Sequence, residues 1–229
     1  MRKIKNNGSP IYLYGENNIN KKKGVIVFTH GLNCAYSSEF MQHIVRSLSD
    51  RGFFVATFEF KFFKKKYSPS NRLSKEAKEL AEVIHCIKSE MNTNNIHLVG
   101  KSVGGVINLV YQSLMDIYAV KSIIILGFPV KLGYPPRLDL LRKKISILPD
   151  YHLEYKNLVK NFVDKIFVIQ GTKDDLYDKK VAESILKNIF YIKNANHGFT
   201  DYKKPKKNYY KDCSRRLIFI LSSSIKNNN

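Results

Sequence analysis

The stretch His97–Leu114, HLVGKSVGGVINLVYQSL, predicts a strand, a very tight turn and a helix. Branched apolar residues precede Ser102, a pattern that is typical of a buried strand. After Ser102, apolar residues recur at three- and four-residue steps, which places a stripe on one face of a helix. These helical positions are Val106, Leu109, Val110 and Leu114.

Ser102 lies in the turn itself, with Gly100 two residues before it and Gly104 two residues after it. A chain that passes from strand to helix without a linker crowds its own backbone, and glycine has no Cβ to collide there. A Gly-x-Ser-x-Gly turn of this kind lifts the hydroxyl above the sheet and directs the next N–H toward it. Short motifs also occur by chance, so the turn alone leaves open whether Ser102 is a nucleophile or a polar turn residue.

Length and composition favour a single α/β domain over 1–229, with a core at about 24–221 and flexible asparagine- and lysine-rich ends. The chain has 229 residues, of which 44% are hydrophobic, and can bury a substantial core. Its apolar runs are too short for a membrane span, and no signal peptide is evident. Cys34, Cys86 and Cys213 are widely spaced and odd in number, which fits neither a disulfide framework nor a zinc site. The sequence therefore predicts a cytoplasmic location.

The formal charge of +20 suggests attraction to nucleic acid or to another polyanion. Lysine outnumbers arginine by 31 to 8, however, whereas recognition of bases and phosphates depends more on arginine. The lysine runs at 21–23, 64–66 and 203–207 fall where loops are expected. We therefore expect weak, non-specific attraction to polyanions and no specific nucleic-acid partner.

Strand and helix patterns alternate along the chain. Besides the pair around Ser102, strands are predicted at about 11–14, 24–29, 53–60, 122–128, 166–170 and 189–193. Further helices are predicted at about 38–51, 74–91, 178–188 and 209–225. This alternation predicts an α/β fold with a mostly parallel central sheet and helices on both faces.

Polar residues follow four of these strands at the ends where ligands bind in such sheets. They are His30 with Gly31, then Ser102, Asp174 and His197. A serine hydroxyl needs a base to take its proton and an acid to orient that base. The chain order Ser102, Asp174, His197 is the one expected of a catalytic triad on a sheet of this kind. Asp175 is the alternative acid, since it directly follows Asp174.

The stretch FTHGLN supplies a further element of the predicted site. Gly31 lets the backbone bend and exposes the N–H of Leu32, which together with the N–H of Val103 forms the predicted oxyanion hole. His30 is interpreted as a structural residue bonded to backbone. For Lys101 two interpretations stay open, a binding residue or an exposed lysine beside the turn. The remaining histidines, His43, His85, His97 and His152, carry no motif.

From Gly24 to Phe219 the chain resembles the α/β-hydrolases, and within them the small dienelactone-hydrolase-like proteins. The narrower similarity is to a compact group that includes a testis-expressed protein and a subunit of a histone-acetylating complex. It depends on three stretches: FTHGLNCAYSSEFMQHIVRSLSDRGFFVATFEF, GKSVGG, and LGFPVKLGYPPRLDLL followed by VIQGTKDDL. The resemblance implies a serine hydrolase without a large cap domain and supports Ser102, Asp174 and His197 as its triad.

The chain also departs from its apparent relatives. Dienelactone hydrolases proper use cysteine as the nucleophile, so their lactone substrate does not transfer to a chain with Ser102. The compact group often has arginine where this chain has Lys101, and some of its members are thought to be scaffolds.

The resulting prediction is a serine hydrolase of small carboxylic ester or thioester substrates, with no metal and no organic cofactor. A catalytically weak scaffold or binding module and a serine peptidase are the alternatives. Residues 131–161 are predicted to form a small flap that lines the acyl pocket, or else simply to cover the sheet. Its apolar members are Pro135, Pro136, Leu138, Leu140, Leu141, Ile145 and Leu148.

Overall fold

A computed structural model describes residues 1–5, 9–15, 23–66, 68–114, 120–132, 151–204 and 206–226. The described residues form one eight-stranded sheet, in the order β1-β2-β4-β3-β5-β6-β7-β8. The strands are β1 Arg2–Ile4, β2 Ile11–Tyr14, β3 Val25–Thr29, β4 Phe54–Thr57, β5 Ile96–Lys101, β6 Ser122–Leu126, β7 Ile166–Gly171 and β8 Asn188–Ile192. Only the pairs β1–β2 and β2–β4 are antiparallel, which confirms the mostly parallel sheet.

Helices cover both faces of the sheet. They are α1 Glu39–Ser49, α2 Lys61–Lys64, α3 Ser74–Met91, α4 Val103–Leu114, α5 Tyr151–Val159, α6 Lys179–Ile185 and α7 Tyr210–Lys226. Side chains of a strand alternate between the faces, so neighbouring residues enter different cores. In β3, Val27 packs in the core with α3, α4, α5 and α6, whereas Phe28 packs in the core with α1 and α7. The predicted α/β class and its two helical layers are confirmed.

One strand was predicted too long and another was missed. Strand β4 ends at Thr57, short of the predicted position 60, because Phe60 caps the start of α2. Phe58 and Phe60 stay fully buried beyond the strand, so the apolar pattern continues where the sheet pairing stops. Strand β1 was not predicted, since its three residues, mostly basic and exposed, give no apolar signal.

Most of the predicted flap, 133–150, lies outside the described residues. The described part of the connection between β6 and β7 contains 3₁₀ turns at Val130–Leu132 and Val163–Lys165, and α5. No large cap domain occurs among the described residues. None of the helices in the described ranges is long and apolar enough to cross a membrane. The three cysteines form no disulfide with one another.

Candidate active site

The turn between β5 and α4 holds Ser102 in a strained backbone conformation, with φ of 54°. A Cβ added at Gly100 would lie 2.4 Å from the Gly105 nitrogen, and one at Gly104 would lie 2.4 Å from the His30 carbonyl oxygen. Backbone atoms cannot move aside as a flexible side chain can. Both positions therefore require glycine, for the close approach of backbone that the sequence motif implies.

His30 holds the loop after β3 against the rest of the core. Its ring is fully buried, its Nδ1 lies 2.7 Å from the Gly31 carbonyl oxygen, and its Nε2 accepts the Phe60 N–H at 3.0 Å. Burial lowers the pKa of His30 to about 4, against a smaller raising effect of the Gly31 contact. These contacts make His30 a neutral structural residue at neutral pH.

The structure brings Ser102, Asp174 and His197 together. Nε2 of His197 lies 2.8 Å from the Ser102 Oγ, and Nδ1 of His197 lies 2.8 Å from Oδ2 of Asp174. An ionised carboxylate only accepts hydrogen bonds, so Nδ1 carries the proton and Nε2 is left to accept from the serine. Three residues from the ends of β5, β7 and β8 thus form one continuous chain of hydrogen bonds.

Asp174, not Asp175, contacts His197. The Asp174 side chain is fully buried, and its Oδ1 accepts the Leu176 N–H at 2.9 Å. Burial alone would raise the pKa of Asp174, but its hydrogen bonds from His197, Leu176 and Gln170 bring the pKa below its ordinary value. Asp175 is exposed to solvent. The alternative between the two aspartates is therefore resolved geometrically in favour of Asp174.

Gln170 is a site residue that the sequence analysis missed. Its Nε2 donates to Oδ2 of Asp174 at 2.6 Å, and its Oε1 accepts the Phe128 N–H at 2.8 Å. The residue is completely buried at the end of β7. The available signal was a polar residue in an otherwise apolar strand, four positions before the aspartate.

The predicted oxyanion-hole residues flank Ser102. Val103 is the first residue of α4, and a Cβ at Gly31 would lie 3.3 Å from the Ser102 Cβ. The Gly31–Leu32 loop therefore lies directly against the serine turn. Among the described residues, no backbone hydrogen bond uses the N–H of Leu32 or that of Val103.

Lys101 is buried, which contradicts its interpretation as an exposed lysine. Only 4% of the residue is accessible to solvent, because its side chain packs against the loop that carries His197. Its Nζ donates to the His197 carbonyl oxygen at 2.7 Å and lies 5.5 Å from the centre of the Phe199 ring. Burial lowers the pKa of Lys101 to about 8, while the charge of Asp174 acts in the opposite direction.

The pKa of His197 is also below its ordinary value. Burial is the largest cause, and the positive charge of Lys101 adds to it, while Asp174 acts in the opposite direction. A histidine with a lowered pKa is neutral at neutral pH and can accept a proton. In the described parts of the chain, no group of three or more histidine, cysteine or acidic side chains is arranged to bind a metal.

A family model described as an alpha/beta hydrolase domain matches residues 22–218, which is most of the chain. The chain belongs to the α/β-hydrolase family. No curated protein sequence matches it significantly. The predicted superfamily is thus confirmed.

Several solved structures share the fold of this α/β-hydrolase at low identity. Est1E from Butyrivibrio proteoclasticus, solved with ferulic acid bound, has a TM-score of 0.70 at 15% identity, covering 99% of this chain and 100% of that one. XC6422 from Xanthomonas campestris, described as a serine hydrolase without a lid, has a TM-score of 0.66 at 14% identity, covering 99% and 94%. A serine hydrolase homologue from Coxiella burnetii has a TM-score of 0.58 at 15% identity, covering 99% and 95%.

Proposed function

We propose that this α/β-hydrolase is a serine hydrolase that cleaves small carboxylic ester or thioester substrates through an acyl-enzyme. The observation that carries the proposal is the hydrogen-bonded chain from Ser102 through His197 to Asp174, with both heavy-atom distances at 2.8 Å. A nucleophile, a base within reach of it and an acid that orients the base together meet the geometric requirement for acyl transfer.

In the acylation step, the Ser102 Oγ forms a bond to the acyl carbon while its proton passes to Nε2 of His197. Asp174 stabilises the resulting imidazolium and keeps its ring oriented. The N–H groups of Leu32 and Val103 hold the negative oxygen of the tetrahedral intermediate. The bond to the leaving oxygen or sulfur then breaks, and His197 returns the proton to that leaving group.

Deacylation repeats the same steps with water as the nucleophile. His197 takes a proton from water as the water oxygen bonds to the acyl carbon. Collapse of the second intermediate breaks the bond to the Ser102 Oγ, which recovers its proton from His197. The products are a carboxylic acid and the free enzyme, so the proposed cycle needs no redox step and no group from a cofactor.

Two neighbours support an ester substrate and an accessible site. Est1E was solved with ferulic acid, an aromatic carboxylic acid, and XC6422 is described as lacking a lid. Hydrolysis of a carboxylic ester releases a carboxylic acid, the class of compound to which ferulic acid belongs. We extend that substrate class to this chain because its serine, histidine and aspartate are in hydrogen-bond contact.

Hydrolysis of graded acyl esters tests the proposal. The purified protein is assayed with 4-nitrophenyl esters and acyl thioesters of increasing chain length, and with a peptide anilide. We expect hydrolysis of esters or thioesters that Ser102→Ala reduces by at least about a thousandfold. Ester activity that survives in Ser102→Ala contradicts the proposal, and activity on the anilide alone indicates a peptidase.

A second serine–histidine pair, which is buried, offers a matched control. Ser122 lies at the start of β6, and its Oγ is 2.8 Å from Nδ1 of His97. This pair is at the opposite end of the sheet from the turn at Ser102. Ser122→Ala therefore removes an equivalent contact and is expected to keep wild-type ester hydrolysis.

The proposal keeps the weak polyanion attraction and the cytoplasmic location as predictions. In the runs 64–66 and 203–207, the lysines that the structure describes are all exposed to solvent. Binding to heparin that disappears at moderate ionic strength is the expected behaviour of such lysines. Salt-resistant binding by a protein without hydrolase activity would instead support a scaffold or binding module.

A further inference from the structure

Lys101 occupies an unusual position for a lysine. It is the last residue of β5, directly before Ser102, and its side chain lies in the interior. Lysine is almost never fully buried unless its ammonium group is paired. Among the described residues, no carboxylate lies within salt-bridge distance of Nζ. The polar group that it contacts is instead the main-chain carbonyl of His197, at 2.7 Å.

Several elements meet around this ammonium group. A Cβ added at Gly127, after β6, would lie 3.0 Å from Nζ of Lys101 and 3.4 Å from Nδ1 of His197. The face of Phe199 lies on another side, and that ring stacks on Phe40 of α1 at a centroid distance of 5.3 Å. Lys101 thus connects the serine strand, the end of β6 and the histidine loop.

We infer that Lys101 is a positioning residue: its ammonium group ties the backbone of His197 to the strand that ends in Ser102, and so holds the imidazole against the serine hydroxyl. The inference rests on the proposed function and deepens it. His197 lies in a loop after β8, and side chains on loops need support from packed elements to keep a productive geometry. The contact acts directly on the residue that carries the imidazole.

The charge of Lys101 gives this role a measurable signature. The charged or titratable groups around Lys101 and His197 are Asp174 and Asp175 after β7, Cys34 after β3, and Cys213 on α7. Near the positive ammonium group, protonation of His197 is disfavoured. Removal of that charge therefore raises the pKa of His197. A substitution that only weakens packing at a distance from His197 leaves this pKa unchanged.

The test follows the rate at which a fluorophosphonate labels Ser102, measured by intact mass between pH 4 and pH 9. Lys101→Met removes donor and charge, Lys101→Gln keeps a donor without charge, and Lys101→Arg keeps both. Lys173→Met is the matched control. Lys173 is exposed and directly precedes Asp174, so this substitution removes the same charge from a residue near the site. Thermal unfolding of each variant reports whether it is folded.

For Lys101→Met we expect labelling to slow by about tenfold to a hundredfold, the loss typical of a displaced catalytic group. We also expect the acid limb of its pH profile to move to higher pH. Lys101→Gln shares the moved limb but labels faster than Lys101→Met, and Lys101→Arg and Lys173→Met keep the wild-type limb.

A Lys101→Met protein that labels at the wild-type rate at its pH plateau overturns the inference, and so does an acid limb that stays in place in both Lys101→Met and Lys101→Gln. If Lys101→Met does not fold, Lys101→Gln and Lys101→Arg decide in the same way. A wild-type protein that is folded but not labelled at any pH shows a different failure, that of the proposed hydrolase function itself.

Discussion

Replacing Gln170 by leucine tests how the buried aspartate of the site is supported. Leucine has a similar volume but provides neither the hydrogen bond to Asp174 at 2.6 Å nor the one from the Phe128 N–H at 2.8 Å. A buried N–H without a partner costs about 1–3 kcal/mol, and a hydrogen bond to a charged group contributes about 1.5–3 kcal/mol. Burial of the leucine side chain recovers about 1.5–3 kcal/mol. We expect the free energy of unfolding to fall by about 2 kcal/mol.

The assay is urea unfolding followed by circular dichroism, with Gln112→Leu as the matched control. Gln112 is buried in α4. Its Oε1 accepts the Val120 N–H at 3.3 Å, a longer hydrogen bond than either of those made by Gln170. Its replacement is expected to cost less than about 1 kcal/mol at pH 7, because only the Val120 N–H loses a partner, at about 1–3 kcal/mol, and burial of the leucine side chain recovers about 1.5–3 kcal/mol. Equal losses of stability in the two variants would refute the reasoning.

The effect of Gln170→Leu also depends on pH. The pKa of Asp174 is lower in the folded protein than its ordinary value near 4, so its stabilising effect is present above that value and is lost as pH falls through the folded pKa. Gln170 contributes to the lowering. The difference in stability between wild type and Gln170→Leu should therefore shrink at acid pH, as Asp174 becomes protonated in the folded proteins. A difference that stays constant over the whole acid range in which both proteins are folded would show that Gln170 does not act through the ionised carboxylate.

Three further outcomes are expected. Asp174→Asn should lower kcat of ester hydrolysis by about ten-thousandfold because a neutral amide neither fixes the tautomer of His197 nor stabilises its imidazolium, whereas Asp175→Asn should change it less than about threefold; equal effects would contradict the assignment. Gly104→Val should yield little soluble protein on expression, because its Cβ would collide with the His30 carbonyl oxygen at 2.4 Å, and a soluble, fully active variant would contradict this account of the turn. The acid limb of kcat/KM should lie below pH 6.5, since burial and Lys101 lower the pKa of His197 and only the neutral ring accepts a proton; a limb above 6.5 would contradict the assignment of that pKa.

The sequence predicted those parts of the molecule that depend on local pattern and on general rules of sheet topology. The glycines around Ser102 predicted the turn. Parallel strands bring their carboxyl ends to one edge of the sheet, so residues about a hundred positions apart could be predicted to meet. The choice between Asp174 and Asp175 required the folded structure. Neighbouring residues after a strand point in different directions, and only the folded loop shows which of them faces the histidine.

The burial of Lys101 and the role of Gln170 were not predicted, for a related reason. A lysine beside a turn is exposed in most proteins, and only the packing of Phe199 and Gly127 around this one encloses it. Gln170 lies in a strand whose apolar neighbours hide its role, because its partners come from the loops after β6 and β7. Such supporting contacts depend on tertiary structure: a polar residue in an apolar strand marks Gln170 as unusual, but it does not identify its partners.

The most direct test of the central claim, an activated serine at the β5–α4 turn, is intact-mass spectrometry after exposure to a fluorophosphonate. Wild type, Ser102→Ala and His197→Ala are compared as folded proteins at pH 7.5. We predict one phosphonyl adduct on wild type, mapped to Ser102 by peptide analysis and absent from both variants. A folded wild-type protein without an adduct, or an adduct that persists in Ser102→Ala, would contradict the account.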